Sequence, residues 1–199
     1  MKRLIALLLS SPLAFNGIRK FIAGDQRETK RFVSESLKRA RVHSVLDVGC
    51  GTGDFATCTP TSATYTGIDL NEHYIKYASA HFGGKKKKFA VQDVTEKSFY
   101  SKKKFDAVLF VSMLHHLSDD ELAAIMPAIK KITGGVIIIA DIIPDPPGFL
   151  QKLMVRLDQG RYIRTRQEKL KLLKKYFKVT ETKLVHSRLA IQFCIICRP

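Results

Sequence analysis

The chain has 199 residues, enough for one domain whose core needs no disulfide or metal staple. Apolar residues at 45% and charged residues at 26% exclude wholesale disorder, a fibre repeat and a polytopic membrane protein. The 34 Lys and Arg outnumber the 18 Asp and Glu, giving a net charge of +16. That charge is uneven: residues 1–44 carry ten basic side chains against three acids, 84–104 eight against two, and 148–199 thirteen against three, while the rest is net acidic. A basic frame reads as affinity for something anionic (a membrane surface, a phosphorylated metabolite, RNA) or as a solvated surface.

The opening MKRLIALLLSSPLAF has the basic head and apolar run of a signal peptide. Cleavage after Ala14 would put Pro12 at the −3 position, and the run falls short of the ~20 residues that span a bilayer. Two short helices are expected instead. Ser11 and Pro12 open the second, Gly24 stops it, and Phe15, Ile18, Phe21 and Ile22 recur at helical spacing. A third starts from Asp25, with Glu28 completing a capping box. Residues 1–43 then read as a helical lid. With Lys2, Arg3, Arg19 and Lys20 flanking the apolar faces, they also read as an interfacial element touching a membrane, and the two are compatible.

From residue 44 strands and helices alternate. SVLDVG, TYTGID, KFAVQD, DAVLFVSML and GGVIIIADI are five strands; helices follow at Asn71–His81 and from Ser118, whose capping box with Glu121 opens a helix to about Lys131. Helical stretches at Phe149–Leu157 and Arg166–Tyr176 precede two closing, antiparallel strands near Lys178–Leu184 and Leu189–Cys197. The expected fold is α/β: a doubly wound, seven-stranded, mostly parallel sheet with an antiparallel last strand, a single domain over 1–199 with its core at 44–199. Cys194 and Cys197 form a CxxC inside a strand, where their side chains point to opposite faces. With Cys50 and Cys58 they read as inert thiols of a reducing cytosol, and no clustered ligand set for a metal is seen.

The informative residues fall at strand ends, beyond which such sheets bind ligands. Val45-Leu-Asp-Val-Gly-Cys-Gly-Thr-Gly53 places three glycines at alternate positions after the first strand. A dinucleotide site would want a glycine where Asp54 stands; Asp47 and Asp54 make the turn acidic, which suits a cation better than a pyrophosphate. Asp69 ends the second strand, where a carboxylate can accept from both hydroxyls of a ribose. Asp93 ends the third, placed to accept from an exocyclic amine, and the fourth ends in Val111-Ser-Met-Leu-His-His-Leu117.

This constellation resembles the class I S-adenosylmethionine-dependent methyltransferases over residues 44–197. The resemblance implies a Rossmann-like fold and S-adenosylmethionine as cofactor. It implies that Asp47 and the loop of Gly49, Cys50, Gly51 and Gly53 hold the methionine portion and that Asp69 takes the ribose, with Leu70 also in the cofactor site. Asp93 with Val94 would take the adenine, and main chain near Val111 would close the pocket. The DQGRYIRTRQEKLKLL segment is similar to that of small bacterial members, and implies that the opening helices and Asp158–Arg166 build a substrate pocket.

If the acceptor must lose a proton, His115 or His116 is the nearest candidate base; alternatively one packs under the helix and the other caps it. Arg161, Tyr162 and Arg164 read as binders of an anionic acceptor group or as a solvated helix start. Val111–Leu114 replaces the NPPY-type tetrapeptide of amino-methyltransferases of bases and glutamine, and 199 residues leave no room for a separate RNA-binding domain. The leading expectation is methyl transfer to a small or lipid-like molecule by a cytoplasmic protein, with peripheral contact at the inner face of the membrane. An RNA methyltransferase, supported by charge alone, and a non-catalytic cofactor-binding or scaffold subunit are the alternatives.

Overall fold

In a computed structural model of the chain, the structure describes residues 11–96, 104–144, 160–186 and 191–199. The strands are β1 (Ser44–Val48), β2 (Thr64–Asp69), β3 (Lys87–Val91), β4 (Phe105–Val111), β5 (Thr133–Ile142), β6 (Lys178–His186) and β7 (Ile191–Arg198). They form one sheet in the order β3-β2-β1-β4-β5-β7-β6. The pairs among β1 to β5 are parallel, and β7 runs antiparallel to both β5 and β6. This is the expected seven-stranded sheet with its antiparallel last strand. The order turns back between β1 and β4, so the crevice of the fold opens over the carboxyl ends of those two strands.

Apolar runs buried on both faces explain why β1, β4 and β5 are central, whereas the Lys-rich β3 is an exposed edge. The helices are α1 (Pro12–Ala23), α2 (Arg27–Arg39), α3 (Glu72–Phe82), α4 (Asp119–Ile132) and α5 (Arg166–Leu173). On one face, Leu122, Ile125 and Ile129 of α4 and Leu172 and Leu173 of α5 pack on Val108, Phe110, Ile137 and Ile139. On the other, Phe32, Val33 and Leu37 of α2 cover Val45, Leu109 and Ile138. Cys197 falls in the first cluster and Cys194 in the second, so the CxxC side chains are on opposite faces of the sheet.

Several local signals work as read. Asn71 accepts from the N–H groups of His73 and Tyr74, and Ser118 and Glu121 form a reciprocal capping box. Pro12 sits in the first turn of α1, and Gly24 ends it at φ 63°. The start of α2 differs from expectation. Its N-cap is Gln26 at φ 53°, with no side-chain cap, and the Asp25–Glu28 box does not form. Two left-handed residues, Gly24 and Gln26, turn the chain between the helices, and Asp25 pairs instead with Arg27 at 2.5 Å. Helix α5 ends at Leu173, earlier than expected, with Tyr176 and Phe177 N–H groups bonded back to Leu173 in turns. The helices expected before Ser11 and at Phe149–Leu157, with Lys2, Arg3 and Asp158, lie outside the described residues, as do the side chains of Arg19, Phe21 and Ile22. Among the described residues no helix is long and apolar enough to cross a membrane.

Candidate active site

The turn after β1 is held in left-handed backbone at Gly49 (φ 72°), Gly51 (54°) and Gly53 (84°). A side chain is disfavoured there by conformation alone. The N–H groups of Gly49 and Cys50 both donate to the Ile68 carbonyl, at 2.8 and 2.9 Å, which fixes the turn to β2. The three glycines differ in what surrounds them. A Cβ on Gly49 would stand 2.5 Å from the Met113 side chain, and one on Gly53 would stand 2.9 Å from Ala78. At Gly51 the nearest atom would be 3.7 Å away, on the ring of Phe15. Gly49 and Gly53 are thus demanded by packing, and Gly51 is where the turn leaves room.

Phe15 belongs to α1, which lies across this turn. Its ring is 4.7 Å from that of Tyr74 on α3, and the Thr52 hydroxyl donates to Asn16 Oδ1 at 2.7 Å. Phe15 and Asn16 thus bring this part of α1 against the glycine turn.

Asp69 ends β2 and accepts from the Gly51 N–H through Oδ2 and from the Asn71 N–H through Oδ1, both at 2.9 Å. Burial pushes its carboxyl up, and those backbone donors pull it back. Leu70 follows it, an apolar side chain 68% exposed. Asp47 is buried in β1; Tyr65 donates to its Oδ2 at 2.6 Å, and its Oδ1 has no hydrogen-bond partner. Burial raises the Asp47 carboxyl to about 7. Asp93 accepts from the N–H and hydroxyl of Thr95, each at 2.7 Å, while Val94 is buried in the core. The Cys50 thiol is buried and pushed up far beyond a reactive range by desolvation.

Beyond β4, buried Val111 leads to Ser112 at φ 51°, whose N–H donates to the Ala140 carbonyl at 2.7 Å. Gln192 donates to the Ser112 hydroxyl and accepts from Thr29 of α2, so β7 and α2 hold this bend. The bend carries Met113 over Gly49 and starts a 3-10 turn, Leu114–His116. His115 is buried with Nδ1 on Asp141, and Lys169 of α5 donates to the other oxygen of Asp141. His116 is exposed, its ring 4.2 Å from that of His115.

Arg164 is buried rather than solvated. Its Nε and Nη2 donate to Asp119 Oδ1 at 2.9 and 2.6 Å, its Nη1 to the carbonyls of Leu114 and Tyr162 at 3.1 and 3.0 Å, and its Nη2 to that of Leu117 at 2.8 Å. These bonds match the whole donor capacity of a guanidinium. The Tyr162 N–H donates to the His115 carbonyl at 3.0 Å. Residues 160–164 are thus strapped onto the 3-10 turn, with Arg161 and Tyr162 exposed beside it.

The structure joins the glycine turn to Asp69 through the Gly51 N–H, and joins the turn of His115 and His116 to the strap of Tyr162 and Arg164. Sequence reasoning missed Asp141 and Lys169, and the seating of Phe15 and Asn16 on the turn. Asp141, a lone acid in an apolar strand, was the available signal.

A doubly wound sheet with a glycine turn after β1 and an anchored acid at the end of β2 defines a Rossmann-like domain that takes an adenosine-type cofactor. The orphaned buried oxygen of Asp47 and the exposed face of Leu70 fit such a group. Residues 45–134 match the family model described as the methyltransferase domain. A ubiquinone biosynthesis O-methyltransferase of Alkalilimnicola ehrlichii is 29% identical over 122 residues, which is 60% of this chain and 49% of that protein. The chain therefore matches about half the length of that curated relative. Among solved structures, magnesium protoporphyrin IX methyltransferase of Synechocystis with bound SAH superposes at TM-score 0.69, with 20% identity over 88% of this chain and 84% of that one. An O-methyltransferase family protein of Burkholderia thailandensis gives 0.73, at 16% identity over 94% and 59%. Over residues 45–134 the chain is similar to the methyltransferase domain family, and its sheet shares the fold of these solved methyltransferases.

Proposed function

We propose that the protein transfers a methyl group from S-adenosylmethionine to an oxygen of a small or lipid-like acceptor. The observation that carries the reading is the joint between Gly51 and Asp69: one N–H of the glycine turn is already bound to the acid at the end of β2. Each Asp69 oxygen keeps acceptor capacity for a ribose hydroxyl, and charge-assisted bonds of that kind contribute about 1.5–3 kcal/mol each. Asp47 Oδ1 is placed to take a donor from the methionine portion over Gly49, Cys50, Gly51 and Gly53. Leu70 would offer an apolar face to the adenine, and Asp93, Val94 and the main chain at Val111 would hold it. When bound, the cofactor supplies a methyl on a sulfonium: the C–S bond breaks as the bond to the acceptor forms, and sulfur keeps the electron pair.

What remains for the chain is orientation, exclusion of water and management of the acceptor's proton. Orientation alone can supply roughly 7–11 kcal/mol of the barrier. Helix α1 covers the glycine turn, and the strap at 160–164 presents Arg161 and Tyr162 beside His115 and His116. With its donors engaged, Arg164 shapes that strap rather than binding an anionic acceptor. The curated relative's name supports oxygen as the methylated atom. Peripheral contact with an anionic lipid surface belongs to the same proposal, supported by Leu13 at 74% exposure, exposed Ile18 and Lys20 on α1, and the net charge of +16. Calorimetric titration with S-adenosylhomocysteine tests the base of the reading. Saturable one-to-one binding is expected, and no binding by the folded protein would overturn it.

A further inference from the structure

Charge lies in blocks along the chain, and the fold sorts those blocks onto opposite ends of the sheet. Helices α2, α3, α4 and α5 each run from the carboxyl end of the strands to the amino end, where they lead into β1, β3, β5 and β6. Each carries an acid in its first turn: Glu28, Glu72, Asp119 and Glu168. The residues that enter the strands are basic instead. Exposed Arg41 precedes β1, Lys85 β3, Lys104 β4 and Lys131 β5, while Lys175 leads to Lys178 at the start of β6. Because β7 runs antiparallel, its last residue, Arg198, returns to the same end and pairs in register with Lys178. Among the described residues, the acids near this end are engaged. Asp106 accepts from the N–H groups of His43 and Ser44, at 2.7 and 2.9 Å, and Glu181 pairs with Arg39 at 2.6 Å.

Helix dipoles account for little of this charge. Four helix C-termini bring a combined charge of about −2, which the seven exposed bases at the strand ends exceed. Lipid insertion does not explain it either. Among the described residues the exposed large apolar side chains are Leu13, Ile18, Leu70, Val91 and Tyr162. All belong to the carboxyl end: Leu13 and Ile18 lie on α1, whose Phe15 meets Gly51, Leu70 follows β2, Val91 ends β3, and Tyr162 is bonded to the turn after β4. A bilayer meeting Leu13 and Ile18 leaves the amino end turned away from it. The amino end offers a row of positive charge roughly 29 Å long, six strand spacings of about 4.8 Å, with no exposed large apolar side chain to stack on bases. Such a row matches a polymer of regularly spaced phosphates, and a duplex presents one charge per about 1.7 Å of its axis.

We propose that the amino end of the sheet docks the phosphate backbone of a nucleic-acid duplex, by charge and without reading its bases. The duplex is a partner held at the end away from the glycine turn and is not the methyl acceptor, so the inference does not rest on the methyl-transfer reading. Binding of this kind releases counter-ions, and its strength falls steeply with salt.

The test follows the fluorescence anisotropy of a labelled duplex RNA titrated with the full chain. With about six phosphates neutralised, affinity should fall on the order of a thousandfold between about 50 and 200 mM salt. A duplex RNA of scrambled sequence and a duplex DNA should each bind within about threefold of the first, since phosphate contacts carry no sequence information. Lys131→Glu with Lys175→Glu is expected to weaken duplex binding on the order of a hundredfold, with cooperative melting and parental S-adenosylhomocysteine affinity. Lys20→Glu with Arg27→Glu makes the same change of net charge at the carboxyl end, and should leave duplex binding within about threefold of the parent's. An equal loss in both variants, or binding that depends on base sequence or on the sugar, would overturn the proposal. So would no duplex binding at about 50 mM salt, or an amino-end variant that releases phosphatidylglycerol vesicles but keeps the duplex.

Discussion

Tyr65 on β2 donates to one oxygen of Asp47 on β1 and leaves the other buried without a partner, a fold-weakening arrangement placed where a cofactor would supply the missing donor. The cost is read in the Asp47 carboxyl, which burial raises from 3.8 to about 7. Between those values the unfolded chain releases the proton and the folded one keeps it, so stability falls as pH rises and the loss is complete above about 7. Asp47→Asn removes that slope. Between pH 5 and pH 8 the variant should lose about 2–3 kcal/mol less stability than the parent, by denaturant titration without cofactor. Equal slopes would mean that Asp47 is ionised throughout.

Asp69 joins the glycine turn to the start of α3 through two backbone bonds. Asp69→Ala should weaken S-adenosylhomocysteine binding by tenfold or more, about 1.4 kcal/mol or above. Calorimetry showing unchanged affinity would remove Asp69 from the cofactor site.

Arg164 spends its donors on Asp119 and three carbonyls around the 3-10 turn. A lysine offers three donors on a point charge and cannot reproduce the fork. Arg164→Lys should lower unfolding free energy by about 2–3 kcal/mol while leaving S-adenosylhomocysteine affinity near the parent's. A stable variant with weakened acceptor binding would instead make Arg164 a direct ligand of the acceptor.

On α1, Leu13 stands exposed while Phe15 faces the glycine turn. Replacing Leu13 and Lys20 with Glu should abolish sedimentation with phosphatidylglycerol vesicles without changing cofactor affinity, if α1 docks on lipid. Parent and variant both staying in the supernatant would leave α1 as a lid alone.

How much of this was legible in the chain follows from how local each signal is. The glycine turn, Asp69, and the caps at Asn71 and Ser118 act within a few residues or at a strand end, so spacing exposes them. The start of α2 differs from its sequence pattern because Gln26, in left-handed backbone two residues after Gly24, sets it. The Thr165–Glu168 capping box of α5 was as local as the others and was overlooked. The cluster of His115, Asp141 and Lys169 spans 26 and 28 residues and joins three elements. Lys169 sits among so many basic neighbours that sequence gives it no distinction from a solvated lysine. Arg164 is hidden in the same way, since only its carbonyl partners across the turn reveal it as buried.

The most direct test incubates the purified protein with methyl-labelled S-adenosylmethionine and an extract of its source organism, then separates organic, aqueous, RNA and protein fractions. The account predicts label in the organic or small-molecule fraction, lost with Asp69→Ala. Label confined to RNA, or none in any fraction despite measured cofactor binding, would contradict it.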